Sequence, residues 1–267
     1  MNTIIVEGGK DMGNRIYPIG IQNFEKIRKE GYVYVDKTAL MYKLVKSGSY
    51  FFLSRPRRFG KSLLISTLEA YFEAKRDLFE GLAVETLEKD WVKRPVFHLD
   101  LNIGKYDTPD SLDKILNETL DYWESLYGTR SAETTLALRF AGVVGRAYEQ
   151  SGERVAILID EYDKPLLQAI GNEELQREFR NTLKPFYGVL KTMDGCIKFA
   201  LLTGVTKFGK VSVFSDLNNL NDISMDEPFI SICGITEKEI HLNFEEDLHE
   251  LAAAQKMTYQ EVCNDCL

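Results

Sequence analysis

The sequence predicts an α/β fold in which a mostly parallel sheet carries helices on both faces. Four short apolar runs have the composition of buried parallel strands, and stretches with helical apolar spacing lie between them. Strands that alternate with helices along a chain form parallel sheets joined by right-handed crossovers. The composition agrees, since 44% of the 267 residues are hydrophobic and 28% are charged, as in ordinary globular domains.

The predicted strands and helices alternate along most of the chain. The four strands lie at residues 50–53, 95–101, 155–159 and 197–202, and a shorter β-type run at residues 32–35 precedes them. Predicted helices cover residues 38–46, 61–74, 111–127, 134–149 and 173–191. The helix at 111–127 follows Asp110, which is a candidate N-cap.

The last part of the chain differs from the rest because it contains no apolar strand run. Three short amphipathic helices are predicted there, at residues 237–240, 244–254 and 258–266. We therefore expect a flexible N-terminal segment at residues 1–15, a main domain at 16–235 and the start of a helical lid at 236–267. Because the chain stops inside a helical pattern at Leu267, we expect this lid to be truncated.

Charge and targeting signals narrow the class of protein. The 33 Lys and Arg against 41 Asp and Glu give a net charge of −8, which argues against a nucleic-acid surface spread over the whole chain. Arg55, Arg57, Arg58 and Lys61 still form a local basic cluster, so nucleic acid stays open as a partner. No apolar run approaches the roughly 18 residues of a membrane span, and no leader is visible, so we expect a cytoplasmic protein that crosses no membrane.

The four cysteines are expected to be free thiols in a reducing compartment. Cys263 and Cys266 form a lone Cys-x-x-Cys pair, which offers fewer ligands than a structural metal site needs. The sequence therefore predicts no metal site at the cysteines.

The strongest functional signal is the run SRPRRFGKS at residues 54–62, between a predicted strand and a predicted helix. It ends like the phosphate-binding loop G-x-x-x-x-G-K-[ST], in which backbone N–H groups and a helix N-terminus surround phosphate oxygens. Gly60 would let the backbone approach phosphate, Lys61 would neutralise the β- and γ-phosphates, and Ser62 would offer a hydroxyl to Mg²⁺. The predicted nucleotide-binding residues are Arg57, Arg58, Phe59, Gly60, Lys61, Ser62 and Leu63.

The opening of this loop departs from the pattern, because Arg55 stands where the first glycine belongs. Without that glycine the motif has only the specificity of Gly-Lys-Ser. A solvated lysine at the start of a helix is then an equal alternative interpretation of Lys61.

Polar residues also follow two later apolar runs. Asp160 and Glu161 end the run at 155–159, where Asp160 would hold Mg²⁺ together with Ser62 and Glu161 would orient the attacking water. Thr203 ends the run at 197–202 and is a candidate to hydrogen-bond the γ-phosphate or that water. The alternatives are a solvated strand end for the acids and a turn helped by Gly204 for the threonine. Weaker candidates for stabilising charge are Lys207 and Lys210.

Three separated stretches resemble the AAA-ATPase-like family of bacterial P-loop proteins: YFFLSRPRRFGKSLLISTLEAYF, AILIDEYDKPL and LLTGVTKFGKVSVFSDLNNLNDIS. The stretch IGIQNFEKIRKEGYVYVDKTALMYKLV resembles the N-terminal region of that family, so the resemblance runs from about residue 16 to about residue 235. It implies a P-loop NTPase fold of the ASCE type, with Asp160 and Glu161 as the Walker-B pair. In that family Arg55 is the usual residue of the loop. Members usually continue into a lid and a nuclease domain of the PD-(D/E)XK type, which this chain does not reach.

The resemblance extends to residues of less certain role. It implies a contact at the nucleotide edge for Asp36-Lys37-Thr38, which a helix cap followed by a solvated lysine explains equally well. Arg57 and Arg58 are expected to face phosphate or a partner. A polar cluster with no assigned role consists of Asn218, Asn219 and Asn221.

Together these features predict Mg²⁺-dependent ATP binding and hydrolysis, with Lys61, Glu161 and Thr203 as catalytic residues and ATP and Mg²⁺ as the bound groups. The prediction requires the Lys61 ammonium and the acidic doublet to meet around one triphosphate. Candidate partners are a second copy of the chain, in a homo-oligomer, and the missing nuclease-like domain. Two alternatives stay open: an ATP-binding switch with little turnover, and an interaction module without nucleotide.

Overall fold

The computed structural model describes residues 15–206 and 220–266, with side chains described up to residue 264. Within these residues, five parallel strands form one sheet in the order β2-β3-β4-β1-β5. The strands are β1 (Tyr50–Ser54), β2 (Val96–Asp100), β3 (Val155–Asp160), β4 (Ile197–Gly204) and β5 (Asn221–Asp222). The predicted α/β class with a parallel sheet is confirmed.

Helices cover both faces of the sheet, as predicted. In the described part of the chain they are α1 (Phe24–Lys29), α2 (Thr38–Ser47), α3 (Lys61–Phe72), α4 (Ala83–Leu87), α5 (Ser111–Tyr127), α6 (Leu136–Ser151), α7 (Lys164–Gln168), α8 (Glu173–Thr192), α9 (Glu237–Gln255) and α10 (Tyr259–Cys266). Short 3-10 turns at Arg76–Phe79, Leu101–Ile103, Asp194–Cys196 and Glu227–Phe229 complete the connections.

The hydrophobic core has one layer on each face of the sheet. Phe52 of β1 belongs to the layer that contains Trp123 of α5 and Phe140 of α6. Its neighbour Phe51 belongs to the opposite layer, with Leu68 of α3. Alternate side chains of a strand point to opposite faces, and here both faces are buried. The central strands are therefore apolar along their whole length, which is why they stand out in the sequence.

The strand β4 lies between β1 and β3, although it follows both in the chain. Leu53 of β1 pairs with Thr203, and Ile159 of β3 pairs with Leu202. Because the strands are parallel, their carboxyl ends meet at one edge of the sheet. The polar residues that follow three separate apolar runs in the sequence are thus brought to the same edge, which is where open α/β sheets bind ligands.

Two strand assignments differ from the prediction. The sequence did not predict β5, whose two polar residues pair with Phe51 and Phe52. Among the described residues, the β-type run at residues 32–35 forms one isolated bridge, between Ile16 and Tyr32, and no strand. In both cases the deciding factor is the presence of a neighbouring strand, which local composition does not reveal.

The helices also differ in detail from the prediction. Asp110 precedes α5 but caps no backbone group with its side chain; its carboxylate lies 2.6 Å from the Lys114 ammonium instead. The predicted helices at 237–240 and 244–254 are joined in α9, where Phe244 keeps a non-helical backbone. The single-turn helices α4 and α7 were not predicted, since five residues carry too little periodicity to read.

Some predicted features lie outside the described residues. These are the flexible segment at residues 1–14, the side chain of Cys266, and Lys207, Lys210, Asn218, Asn219 and Leu267. Cys263 is a buried free thiol. Within the described ranges, no helix combines the length and the apolar character needed to cross a bilayer.

Candidate functional site

The loop between β1 and α3 takes two left-handed backbone positions. Arg58 has φ 64° and Gly60 has φ 87°, a region that a glycine enters at little cost and an arginine does not. A Cβ at Gly60 would come no closer than 3.8 Å to another atom, the Gly234 nitrogen, so the requirement there is conformational. No side chain caps α3, which leaves the first N–H groups of the helix available to an anion.

Lys61 is the first residue of α3 and is 97% buried, with a relative exposure of 3%. Its Nζ lies 3.1 Å from Oε1 of Glu161 and donates to the carbonyls of Arg55 at 3.2 Å and Pro56 at 3.3 Å. The structure therefore brings the loop lysine and the acid after β3 into direct contact. The alternative of a solvated lysine does not describe this side chain.

The side chain of Arg55 points away from the Lys61 ammonium. Its guanidinium donates to the carbonyls of Ser224 at 2.5 Å and Ile230 at 3.1 Å. Its backbone N–H donates to the carbonyl of Gly204, at 3.1 Å. The residue that replaces the first glycine of the motif therefore ties the loop to the end of β4 and to the segment after β5.

Asp160 ends β3 and is buried, with 3% exposure. Its Oδ1 accepts hydrogen bonds from the Thr203 hydroxyl and from the Glu161 N–H. Among the described residues, none hydrogen-bonds its Oδ2. Asp100 of β2 pairs in register with Asp160, and burial, reinforced by the charge of Asp160, raises the pKa of the Asp100 carboxyl.

Glu161 has φ 53°, a left-handed value that non-glycine residues rarely adopt. The strand ends at Asp160, and this reversal lets the next side chain turn back toward Lys61. Strained backbone at such a position points to a functional constraint.

Thr203 is fully buried, and its hydroxyl donates to Asp160. It is not among the residues that line the adjoining cleft. We predicted a contact between this hydroxyl and the γ-phosphate or the attacking water. In the structure this hydroxyl is directed along the sheet edge to the Asp160 carboxylate on the next strand, so its contact with phosphate or water stays a prediction.

Asp163 is a buried acid beside the candidate site whose role the sequence did not indicate. It is fully buried, and its Oδ2 accepts from the Thr206 N–H at 2.7 Å and the Val205 N–H at 3.1 Å. A Cβ at Gly204 would lie 2.4 Å from the Tyr162 ring, so glycine is needed for this close approach. Asp163 thus fixes the chain that leaves β4. The signal was its position two residues after the acidic doublet.

A polar cleft of about 890 Å³ opens between this loop and the start of α7. Its second wall includes Asn102, Glu161 and Lys164. Asp160 lies behind Glu161 and does not line the cleft. The predicted nucleotide-binding residues all line it: Arg57, Arg58, Phe59, Gly60, Lys61, Ser62 and Leu63.

An apolar cavity of about 410 Å³ lies on the other side of the loop. Phe59, Gly60 and Leu63 line both spaces. Burial raises the pKa of the Cys233 thiol in its wall to about 12, so this group is neutral at neutral pH. Its aliphatic and aromatic lining includes Ile21, Ile27, Val33, Tyr34, Val35, Met41, Leu64, Ile232 and Phe244.

Asp36-Lys37-Thr38 has a mainly structural arrangement. Asp36 accepts from the N–H groups of Thr38 at 2.7 Å and Ala83 at 2.8 Å, as the helix-cap interpretation predicted. Lys37 is not solvated: its Nζ pairs with Glu239 of α9 at 2.5 Å, and it lines the apolar cavity.

Comparison with known proteins identifies the family. No solved structure matches the chain. A protein of Azotobacter chroococcum mcd 1, described as an uncharacterized protein in the vnfD 5′ region, is 41% identical over 239 residues, which cover 89% of this chain and 46% of that relative. The chain thus spans about half the length of the curated relative it matches. A family model described as Predicted AAA-ATPase, a description that indicates ATP binding, matches residues 18–214. The chain belongs to this AAA-ATPase-like family.

Proposed function

We propose that this chain binds Mg-ATP and hydrolyses it. One observation carries the proposal: a buried lysine at the start of a helix meets an acid from the end of a central strand, 3.1 Å away. A buried lysine and an acid beside a cleft suit an anionic ligand. The lysine would bind the negative charge of the ligand, and the acid would act as a general base next to its reacting atom. The family membership supports ATP as that ligand.

In this proposal the two spaces beside the loop receive different parts of ATP. The triphosphate lies in the polar cleft, against the N–H groups at the start of α3 and the Lys61 ammonium. The adenine ring lies in the apolar cavity, whose 410 Å³ and apolar walls suit a flat ring. Helices α9 and α10 would begin a lid over this end, since Phe244 of α9 lines the cavity and Glu239 holds Lys37.

The oxygen donors beside the cleft fit Mg²⁺. Ser62 lines the cleft, and the buried Asp160 lies behind Glu161. The Ser62 hydroxyl and Oδ2 of Asp160 are hard oxygen donors, which Mg²⁺ prefers, and Mg²⁺ commonly binds through one or two protein oxygens together with substrate phosphates. Within the described residues, no cluster of three His, Cys, Asp or Glu could hold a metal ion without such help. When bound, the ion would neutralise negative charge on the β- and γ-phosphates.

The protein residues would act mainly by positioning and charge. Glu161 would orient a water whose oxygen bonds to the γ-phosphorus as the bond from that phosphorus to the β–γ bridging oxygen breaks. The electron pair of the broken bond stays on ADP, and the carboxylate accepts the water proton and returns it to the products. Thr203 would hold Asp160 in place through the hydrogen bond between them.

An ATP-binding switch with little turnover is the second candidate function. It is favoured by the ion pair between Lys61 and Glu161, because this pair has to separate before the acid can orient water. Thermal unfolding with and without Mg-ATP tests binding, since a ligand of the native state raises the melting temperature. Phosphate release then separates an ATPase from a switch.

The Glu161→Gln variant tests the role of this acid in phosphate release, and Glu174→Gln is its control. Glu161→Gln should keep Mg-ATP binding and lose at least about 100-fold in phosphate release. Glu174→Gln, at an exposed acid on α8, should behave like the wild type. No rise in melting temperature for the wild type would reject nucleotide binding and favour an interaction module.

A further inference from the structure

The polar cleft contains a second lysine besides Lys61. Lys164 begins α7, three residues after Glu161, and lines the cleft on the wall opposite the loop. Its Nζ donates to the carbonyl of Asn102 at 2.9 Å and also to the side-chain oxygen of Asn102. Asn102 lies in the 3-10 turn that follows β2.

Lys164 makes no direct ion pair with a carboxylate in the described ranges. Its charge acts on the Asp100 carboxyl nearby, and both hydrogen bonds of its ammonium go to neutral oxygens of Asn102. The side chain is also half-buried. An ammonium is stabilised by an anion more than by neutral acceptors. An ammonium has three donors, so one remains for a ligand in the cleft.

The direction of the side chain is set by elements on three sides. The Lys164 N–H donates to the Glu161 carbonyl at 3.0 Å, so the lysine moves with the acid. Asn102 is itself held, since its N–H donates to Oδ1 of Asp100 at 2.7 Å. Gln168, one turn further along α7, accepts from the Tyr106 N–H at 2.8 Å. The two hydrogen bonds to Asn102 hold the ammonium at the cleft wall.

We propose that Lys164 is a catalytic cation that contacts the γ-phosphate of ATP from the wall opposite Lys61. This inference rests on the proposed ATP binding and adds a residue to it. Negative charge on the γ-phosphoryl oxygens has to be stabilised in phosphoryl transfer, and many P-loop enzymes use an additional positive side chain for this. Here the chain supplies one itself, next to the residue that orients water. Asn102 is a positioning residue that aims the ammonium.

The test compares ATP with ADP, which lacks the γ-phosphate. Lys164→Met keeps the unbranched four-atom stem of the side chain and removes the charged ammonium. Mg-ATP and Mg-ADP affinities are measured by titration calorimetry, and phosphate release is measured under saturating Mg-ATP. We expect Lys164→Met to weaken ATP about 10-fold while ADP affinity is unchanged. Phosphate release should fall about 100-fold.

Two further variants separate a chemical role from a structural one. Lys164→Arg should restore most of the preference for ATP over ADP, because it restores the charge. Asn102→Ala leaves the cation but frees it, so it should lower phosphate release by a smaller factor than Lys164→Met. Lys105→Ala, at an exposed lysine that pairs only with Asp107 among the described residues, is the matched control.

The outcomes distinguish this inference from the proposed function. If the wild type binds ATP and Lys164→Met shows the same ratio of ATP to ADP affinity, the inference is overturned and the ATPase proposal stands. Equal losses for ATP and ADP also overturn it, since they indicate a structural tie between α7 and the turn after β2. If the wild type binds no ATP, the proposed function fails and this inference fails with it.

Discussion

The two spaces beside the loop differ in the chemistry of their walls. The polar cleft holds Lys61, Glu161 and Lys164, whereas the apolar cavity is lined mostly by aliphatic and aromatic side chains and by the neutral thiol of Cys233. Phe59 contributes to both. A space for charged groups thus adjoins a space for a flat apolar group. A nucleoside triphosphate has both kinds of group.

The largest loss of ligand affinity is expected from a substitution in the polar cleft. Lys61→Ala should weaken binding of both Mg-ATP and tripolyphosphate by about 100-fold, since it removes a buried cation from the proposed phosphate contact. Titration calorimetry measures both ligands. Lys105→Ala is the control, because the side chain of Lys105 is 83% exposed. Wild-type affinity in Lys61→Ala would remove the cleft from consideration as a phosphate site.

A smaller loss of affinity, for ATP but not for tripolyphosphate, is expected from a substitution in the apolar cavity. Val35 lines the apolar cavity and not the cleft, so Val35→Trp should fill space that the base needs. We expect ATP affinity to fall about 10-fold and tripolyphosphate affinity to stay the same. Leu138→Trp, at a half-exposed position on α6, controls for the added ring. If both ligands are lost equally, the two spaces do not serve different parts of one molecule.

The smallest effect is expected on the free energy of unfolding, from a residue that lines neither space. Such a variant shows what a loss of stability looks like when no proposed ligand contact is lost. Glu88 is buried and accepts from the Lys46 ammonium at 2.9 Å and from the Tyr71 hydroxyl. Burial opposes its charge, but hydrogen bonds from Tyr71 and its neighbours and the charge of Lys46 outweigh this and lower the pKa of Glu88. The ionised carboxylate therefore stabilises the folded chain above the pKa of an unfolded glutamate.

Glu88→Gln should accordingly reduce the free energy of unfolding by ~1 kcal/mol at pH 7. That difference should disappear as the pH falls through the lowered folded-state pKa, because the wild type then protonates too. Urea unfolding at neutral and acidic pH measures it. Mg-ATP affinity at neutral pH should not change. A difference that is constant with pH would mean that packing, and not charge, is lost.

Much of the fold could be predicted because both faces of the sheet are buried. Helix α5 begins and ends at the predicted residues, Ser111–Tyr127, since its apolar face is regular. The strand β5 could not be predicted, because Asn221 and Asp222 are strand residues only by pairing with β1. The run at residues 32–35 shows the reverse case, a β-type composition that pairs with no strand in the described part of the chain.

Residues of the candidate site could be predicted where they belong to one sequence motif. Contacts between residues that are far apart in the sequence could not be predicted. Gly60 and Lys61 could be read from the loop pattern. The direction of the Thr203 hydroxyl depends on the register between β4 and β3, which no local pattern gives. Asn102 and Lys164 are 62 residues apart, and they meet because two turns leave the same edge of the sheet.

The hydrogen bonds of the Arg55 side chain determine how this loop would respond to a substitution at that position. In the common pattern this position is a glycine. Because glycine has no side chain, it cannot hydrogen-bond distant parts of the protein through one. Here the guanidinium donates to the carbonyls of Ser224 and Ile230 in the segment after β5, and to that of the adjacent Ser54. Replacing Arg55 with glycine would remove the two distant anchors, so the substitution that matches the common pattern would loosen the loop.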